Sequence, residues 1–121
     1  MKRDMELVRN ILIALNENEN GFATDKLNIE GFSDEQIGYH SYLLAQAGLI
    51  QAIENTSIGA TSPTSIPQNL TWHGHEFIEN AKNDNVWSQT KQAVSKMGDV
   101  SFSVWANVLS QVVINNLNIN S

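Results

Sequence analysis

The chain has 121 residues, the length of one compact domain or of a small domain with an appendage, which excludes an enzyme with two large lobes. Hydrophobic residues make up 41% and charged residues 17%, with two prolines, so the composition is that of a folded globular protein. Thirteen acidic residues against seven basic ones give a net charge of -6, opposite to the balance expected of a phosphate-binding protein. Because there is no cysteine, disulfides, thiolate metal sites and cysteine nucleophiles are excluded.

The distribution of charge sharpens this point. Between residues 20 and 81, Lys26 is the single base among seven acidic residues. Three other bases, Lys2, Arg3 and Arg9, lie near the start of the chain, and the remaining lysines lie toward its end. If phosphate is bound, we expect it to contact Lys2, Arg3 and Arg9 together with the lysines toward the end of the chain.

Neither end of the chain has the pattern of a targeting or membrane segment. The charged first residues are not followed by a long apolar run and a small-residue cleavage site, so we expect no signal peptide and a cytoplasmic location. Residues 104–117 are rich in valine but interrupted by Asn, Ser and Gln, and no stretch approaches the roughly 20 apolar residues that a bilayer span needs. We therefore expect no membrane partner.

The first predicted elements are a helix and a short strand. Apolar residues recur at helical spacing from residue 5 to residue 15, which predicts a helix over residues 2–16 that ends in the Asn- and Gly-containing turn before residue 22. Residues 27–30 alternate between apolar and polar, which predicts a strand.

A second helix is predicted to begin at Ser33 and to run to residue 47. Ser33 and Gln36 have the spacing of a capping box, and Gly48 is the expected C-terminal cap. On a helical wheel one side is apolar and includes His40, while the other side carries Glu35, Gly38, Tyr39, Tyr42 and Gln46.

A hairpin is predicted next. Residues 49–54 have the pattern of a strand, and residues 55–67, rich in Ser, Thr, Gly and Pro with scattered Ile, are typical of an exposed hairpin tip. The return strand is expected to pass through Asn69 and Leu70.

Three helices are predicted to complete the chain. Thr71 is the expected cap of a helix over residues 72–83, and Asp84 or Asn85 the expected cap of a helix that ends at Gly98. The last helix is expected to begin after Ser101, with residues 115–121 frayed. We therefore predict two domains, residues 1–83 and residues 84–121.

This order of elements is typical of winged-helix domains. The fold class predicted is thus α+β, mostly helical, with a small antiparallel sheet and a wing hairpin followed by two C-terminal helices. More specific residues occur along the chain: Met1 to Met5, Ile29 to Ser33, Tyr39 and His40, Leu43 and Leu44, Ala47 to Ile50, Leu70 to Trp72, Gly74 to Phe77, and Val86 with Trp87. In these residues the chain resembles an uncharacterised family of bacterial and phage-borne proteins, domain of unknown function 2513. The resemblance covers most of the chain and implies a winged-helix-like fold and a link to mobile elements, but no activity.

The sequence departs from an ordinary winged helix in one respect. Only residues 21–32 separate the first two helices, which leaves no room for the usual supporting helix beside a predicted strand. The helix after Ser33 would be the recognition helix, yet its outward residues include no Lys or Arg, the side chains that most often read guanine. This favours a protein-contact or structural role over major-groove binding.

The candidate site residues are Tyr39, Tyr42 and Gln46. Two outward tyrosines are suited to anchoring a protein partner, with Gln46 as a polar contact and residues 56–65 as an adaptable flank. The alternative is that the C-terminal helices fold back and cover both tyrosines. Those helices carry a wide apolar face, which is expected either to pack on the first helix or to form a homodimer. A membrane-lying role is disfavoured because the polar face of these helices lacks the expected Lys and Arg.

Catalytic and metal sites are not expected. His73 and His75 lie two apart on a predicted helix and so point in different directions. We expect His73 at the surface and His75 either packed or capping beside the wing. No motif for a nucleophile or a phosphate loop is present. We therefore predict a non-enzymatic protein-interaction module without cofactor or metal, the alternative being a dimeric DNA-binding transcriptional regulator.

Overall fold

The computed structural model describes residues 1–23 and 26–120, with side chains described as far as residue 118. Within those residues the chain forms five helices and one two-stranded antiparallel sheet, which confirms an α+β, mostly helical class. The elements are α1 Met5–Asn16, α2 Asp34–Gln46, β1 Ile50–Glu54, β2 Ser65–Leu70, α3 Trp72–Ala81, α4 Asp84–Ser95 and α5 Phe102–Asn120. Contacts divide the chain into two compact units, Met1–Ile78 and Glu79–Ser121, so the division falls inside α3.

Helix α1 begins at Met5 rather than at residue 2. The carboxylate of Asp4 accepts hydrogen bonds from the backbone N–H groups of Glu6 and Leu7, at 2.9 and 3.4 Å, and so acts as the N-cap. The apolar face of α1 is buried and consists of Met5, Leu7, Val8, Ile11, Leu12 and Leu15. This face is part of the core of the first unit, where α1 contacts α2 and β2.

The predicted strand at residues 27–30 is wrong. Residues 26–29 have no regular structure, and the chain turns at residues 30 and 31, where Gly31 has φ +87°. Alternation over four residues does not make a strand unless a neighbouring strand pairs with it. The chain before α2 instead contacts β2 at a residue that precedes this segment, because the backbone N–H of Ala23 donates to the carbonyl of Gln68 at 2.7 Å.

Helix α2 has the capping box that the sequence predicts. Gln36 N–H donates to Oγ of Ser33 at 3.1 Å, and Ser33 N–H donates to Oε1 of Gln36 at 2.8 Å. The buried side chains of α2 are Ile37, His40, Ser41 and Leu44. Gly48 follows the helix with φ +79°, a left-handed conformation that turns the chain into β1.

The hairpin, defined here as β1, β2 and the connecting residues 55–64, has a longer return strand than predicted. Ile50 pairs with Leu70 and Glu54 with Ser65, with an irregularity between Gln51 and Ala52. Pro67 lies inside β2 because this irregularity sits beside it, and a proline is tolerated where the ladder is interrupted. Helix α2 contacts both strands.

Helix α3 is capped by Thr71, as predicted. The Thr71 hydroxyl donates to the carbonyl of Gly48 and accepts from Gly74 N–H at 3.2 Å. Gly74 lies directly against the backbone that leads into β1, since a Cβ there would stand 2.0 Å from the carbonyl oxygen of Leu49. Trp72, the first residue of α3, is 76% exposed.

The second unit consists mainly of α4 and α5, which contact each other. Asn83, and not Asp84 or Asn85, caps α4, because its Oδ1 accepts from Val86 N–H at 3.0 Å. The rings of Trp87 and Trp105 stack at 5.2 Å between centroids. Helix α5 begins after Ser101 as predicted but continues to Asn120 instead of ending near residue 115.

No helix among the described residues combines the length and the apolar character needed to cross a bilayer.

Candidate functional site

The tyrosine face, defined as Tyr39, Tyr42 and Gln46, is assembled on α2. Gln46 is exposed and donates a hydrogen bond from Nε2 to Oη of Tyr42 at 3.0 Å, so the structure brings these two residues together. Tyr39 precedes Tyr42 by one helical turn and lies on the same side of the helix. Both tyrosines are half-buried, so each presents part of its ring to solvent.

A buried histidine lies directly behind this face. His40 is 2% exposed, and the edge of its ring meets Tyr39 in a T-shaped contact at 5.9 Å. Its Nδ1 is 2.8 Å from the carbonyl of Gln36, and its Nε2 is 2.8 Å from the backbone N–H of Asp4. Because the carbonyl only accepts and the amide only donates, these contacts require neutral histidine with the proton on Nδ1.

Sequence reasoning found one signal of this histidine but did not predict its hydrogen bond to Asp4. The helical wheel placed His40 on the apolar side of α2, where a histidine must satisfy its ring nitrogens internally. The partner at Asp4 is far away along the chain, so periodicity does not identify it. Desolvation by burial lowers the pKa of His40, while the Gln36 carbonyl and Asp4 act in the opposite direction.

The bases expected to contact phosphate are not equivalent. Lys2 and Arg3 are exposed in the segment before α1, whereas Arg9 lies on α1 with 9% of its surface exposed. Burial disfavours Arg9 as a direct phosphate contact. Phosphate binding by Lys2 and Arg3 stays a prediction.

The hairpin presents apolar side chains to solvent. Ile53 and Ile66 are cross-strand partners, 53% and 44% exposed. Ile58 in the connecting loop is fully exposed. The scattered isoleucines of the predicted loop were the sequence signal for this surface, but their pairing depends on the register of the two strands.

The connecting loop, expected to be an adaptable flank, is tied to the start of α2. Oε1 of Glu35 accepts hydrogen bonds from the hydroxyls of Thr61 and Ser62 at 3.0 and 3.2 Å. A Cβ at Gly38 would stand 2.9 Å from Cβ and Cγ2 of Thr64, so only a glycine allows the hairpin to approach α2 this closely. The hairpin is thus held against α2 at two places.

An open groove lies between the hairpin and the first half of α2. It has a volume of about 740 Å³, and its lining includes the apolar side chains of Leu27, Ile37, Ile66 and Pro67. Glu35 lies in the lining, as do Lys26 and Asp34, which form an ion pair with each other. Sequence reasoning did not predict this groove, because its walls come from three separate parts of the chain.

The described residues include no group of three or more metal-ligating side chains close enough to hold an ion. His73 is exposed on α3, as expected. His75 is also exposed rather than packed. Homodimer formation through α4 and α5 stays a prediction, and α5 exposes Ile114 and Leu117 near its end.

The fold and these surfaces define a mostly helical α+β protein with a helix and hairpin that expose tyrosine and isoleucine. The family model "Hypothetical protein (DUF2513)" matches residues 2–100. An "Uncharacterized protein" of Haemophilus influenzae is 36% identical over 117 residues, 93% of this chain and 96% of that protein. The chain therefore belongs to the DUF2513 family, as the resemblance predicted. No solved structure matches it, and the link to mobile elements stays a prediction.

Proposed function

We propose that residues 1–78 form a winged-helix-like module that binds a protein, and that α2 and the hairpin form its contact surface. The order α1, α2, hairpin, α3 supports the winged-helix description, with α2 at the position of a recognition helix. The hydrogen bond from Ala23 to Gln68 supports it further, because the chain before α2 then runs beside the hairpin. Among the described residues between α1 and α2 there is no supporting helix, so the module lacks a complete helix-turn-helix.

The observation that carries the proposal is the chemistry of α2. The helix begins with Asp34 and Glu35 and contains no Lys or Arg. Two carboxylates at its start would repel phosphate, and no guanidinium is available to read a base. A helix of this composition is better suited to a protein surface than to a DNA groove.

The hairpin supplies the second part of the surface. Ile53 and Ile66 form an exposed apolar pair, and Ile58 extends from the loop. Exposed apolar side chains grouped beside polar ones are typical of protein interaction sites. The half-buried tyrosines of α2 add the amphipathic aromatic groups that are common at binding hot spots.

The proposal is tested by affinity capture with the full chain from an extract of the source cells. Replacing Tyr39 and Tyr42 together by alanine should weaken partner binding about 30-fold or more, as expected when hot-spot side chains worth about 2 kcal/mol are removed. Far-ultraviolet circular dichroism of the double variant should match the unaltered chain.

Trp72→Ala is the matched control, because Trp72 is a large exposed aromatic on a different helix. Its capture should equal that of the unaltered chain. A partner that the tyrosine double variant captures with undiminished yield would contradict the assignment of the tyrosine face.

A further inference from the structure

We propose that the groove between the hairpin and α2 is the specificity site of this module, and that it takes an apolar side chain and a neighbouring basic one from a partner peptide. The inference rests on the proposed function, because it names the chemistry of the partner segment. It is carried by the lining of the groove, by the charge around it and by the way its walls are held.

The apolar residues that line the groove favour an apolar side chain on the ligand. Leu27, Ile37, Ile66 and Pro67 line a groove of about 740 Å³, which is within the size range of sites that accept a few side chains or a small molecule. Ile66 remains 44% exposed there. Covering this side chain removes apolar surface from water, which favours an aliphatic group in the groove.

The carboxylate of Glu35 favours a cationic group on the ligand. Glu35 accepts both loop hydroxyls through Oε1, and among the described residues no hydrogen bond or ion pair engages its Oε2. The single base of the lining, Lys26, is paired with Asp34. A Lys or Arg side chain on the ligand therefore meets a carboxylate oxygen that is accessible and already oriented, and charge-assisted hydrogen bonds of this kind are the strong ones.

The walls are formed before a ligand binds. Thr61 and Ser62 hold Glu35 from the hairpin side, and the close approach of Gly38 to Thr64 fixes the distance between α2 and the hairpin. A preformed site loses less conformational entropy on binding than a mobile one. The loop thus acts as a positioning element for Glu35.

The test is a titration of the ¹⁵N-labelled full chain, followed by NMR, with the capped peptide Gly-Leu-Arg-Gly. Saturable shifts should appear at the amides of Leu27, Gly38 and Gln68, with a dissociation constant of about 1 to 5 mM for so small a ligand. The peptides Gly-Leu-Glu-Gly and Gly-Ser-Arg-Gly should have dissociation constants at least about tenfold higher, since the first lacks the basic side chain and the second lacks the apolar one.

Two pairs of variants separate the groove from its surroundings. Glu35→Gln keeps an acceptor for the loop hydroxyls but removes the negative charge, so it should weaken binding of Gly-Leu-Arg-Gly about tenfold. Glu30→Gln removes a charge outside the groove and should leave binding unchanged. Ile66→Ser should weaken binding similarly, whereas Trp72→Ala should not, because Trp72 is 76% exposed on α3 and does not line the groove.

Absence of shifts at the groove amides, or equal binding of the three peptides, would overturn the groove assignment. Shifts confined to residues around Tyr42 would overturn it as well, and would support the proposed function. If the peptide binds in the groove while the tyrosine double variant still captures its partner, the groove assignment stands and the tyrosine face is overturned.

Discussion

The backbone N–H of Asp4 donates a hydrogen bond to Nε2 of His40 over 2.8 Å, and this contact joins the start of α1 to the middle of α2. Asp4 is at the same time the N-cap of α1 through its carboxylate. One residue therefore sets both where α1 begins and how it lies against α2. The contact exists only while Nε2 of His40 carries no proton.

This requirement predicts that stability falls with acidification. Burial lowers the pKa of His40 below its ordinary value of 6.5, so the unfolded chain binds this proton more tightly than the folded chain does. The contribution of His40 is complete above pH 6.5 and is lost as the pH falls from there toward the lowered pKa of the folded state. Urea unfolding between about pH 5 and 8 measures it.

The matched variant is His40→Gln, which removes the titrating group. Its free energy of unfolding should be lower at pH 8, and it should lose less stability than the unaltered chain between pH 7 and about pH 5. The exposed His73→Gln should keep the full pH dependence. Parallel curves for His40→Gln and the unaltered chain would show that His40 does not sense pH.

The glycines of α2 and α3 are expected to differ in their response to alanine. At Gly74 the new Cβ would stand 2.0 Å from the carbonyl oxygen of Leu49, which is backbone and unable to move away. We expect Gly74→Ala to cost about 3 kcal/mol or more, the upper end of overpacking effects. At Gly38 the new Cβ would stand 2.9 Å from Cβ and Cγ2 of Thr64, so the hairpin must shift, and the gain of about 1 kcal/mol in helix propensity offsets only part of the strain.

Gly21→Ala is the control for both, since no atom of the residues that the structure describes lies within 4 Å of the added Cβ. Thermal unfolding of the three variants should rank Gly74→Ala far below the other two. An unfolding midpoint for Gly74→Ala equal to that of the control would mean that α3 does not lie against Leu49 in solution.

Thr71 is predicted to stabilise the junction between the sheet and α3. Thr71→Val keeps the shape of the side chain but removes the hydroxyl that accepts from Gly74 N–H and donates to Gly48. The loss should be about 1 to 2 kcal/mol, the usual cost of a lost cap. Thr71→Ser retains the hydroxyl and should lose less than half as much, as measured by chemical denaturation.

We expect no salt-sensitive DNA binding from this chain. A shift assay on mixed genomic fragments at about 50 and 200 mM salt covers the range in which phosphate-driven affinity changes most. The net charge of -6 and the acidic start of α2 predict no binding at either concentration. Submicromolar binding that disappears at the higher salt, and that a Lys2→Ala, Arg3→Ala variant lacks, would support the dimeric regulator instead.

Local chemistry explains why most elements were predictable. The capping box at Ser33, the cap at Thr71 and the left-handed glycine at Gly48 involve residues within one or two turns of each other, so their types and spacing are enough. The prediction of a strand at residues 27–30 was wrong because strand formation depends on a partner far away in the sequence. Alternation is a necessary property of a strand, but the neighbouring β2 pairs with the chain at Ala23 instead.

The candidate site divides in the same way. Local sequence was enough to predict the helices, the acidic and base-free character of α2, and the common side of Tyr39, Tyr42 and Gln46, because helical periodicity fixes directions within a helix. It did not predict that His40 accepts from Asp4, that Ile53 pairs with Ile66, or that a groove opens beside Glu35. Each of these depends on how segments far apart in sequence pack together, and local propensity contains no information about that distance or register.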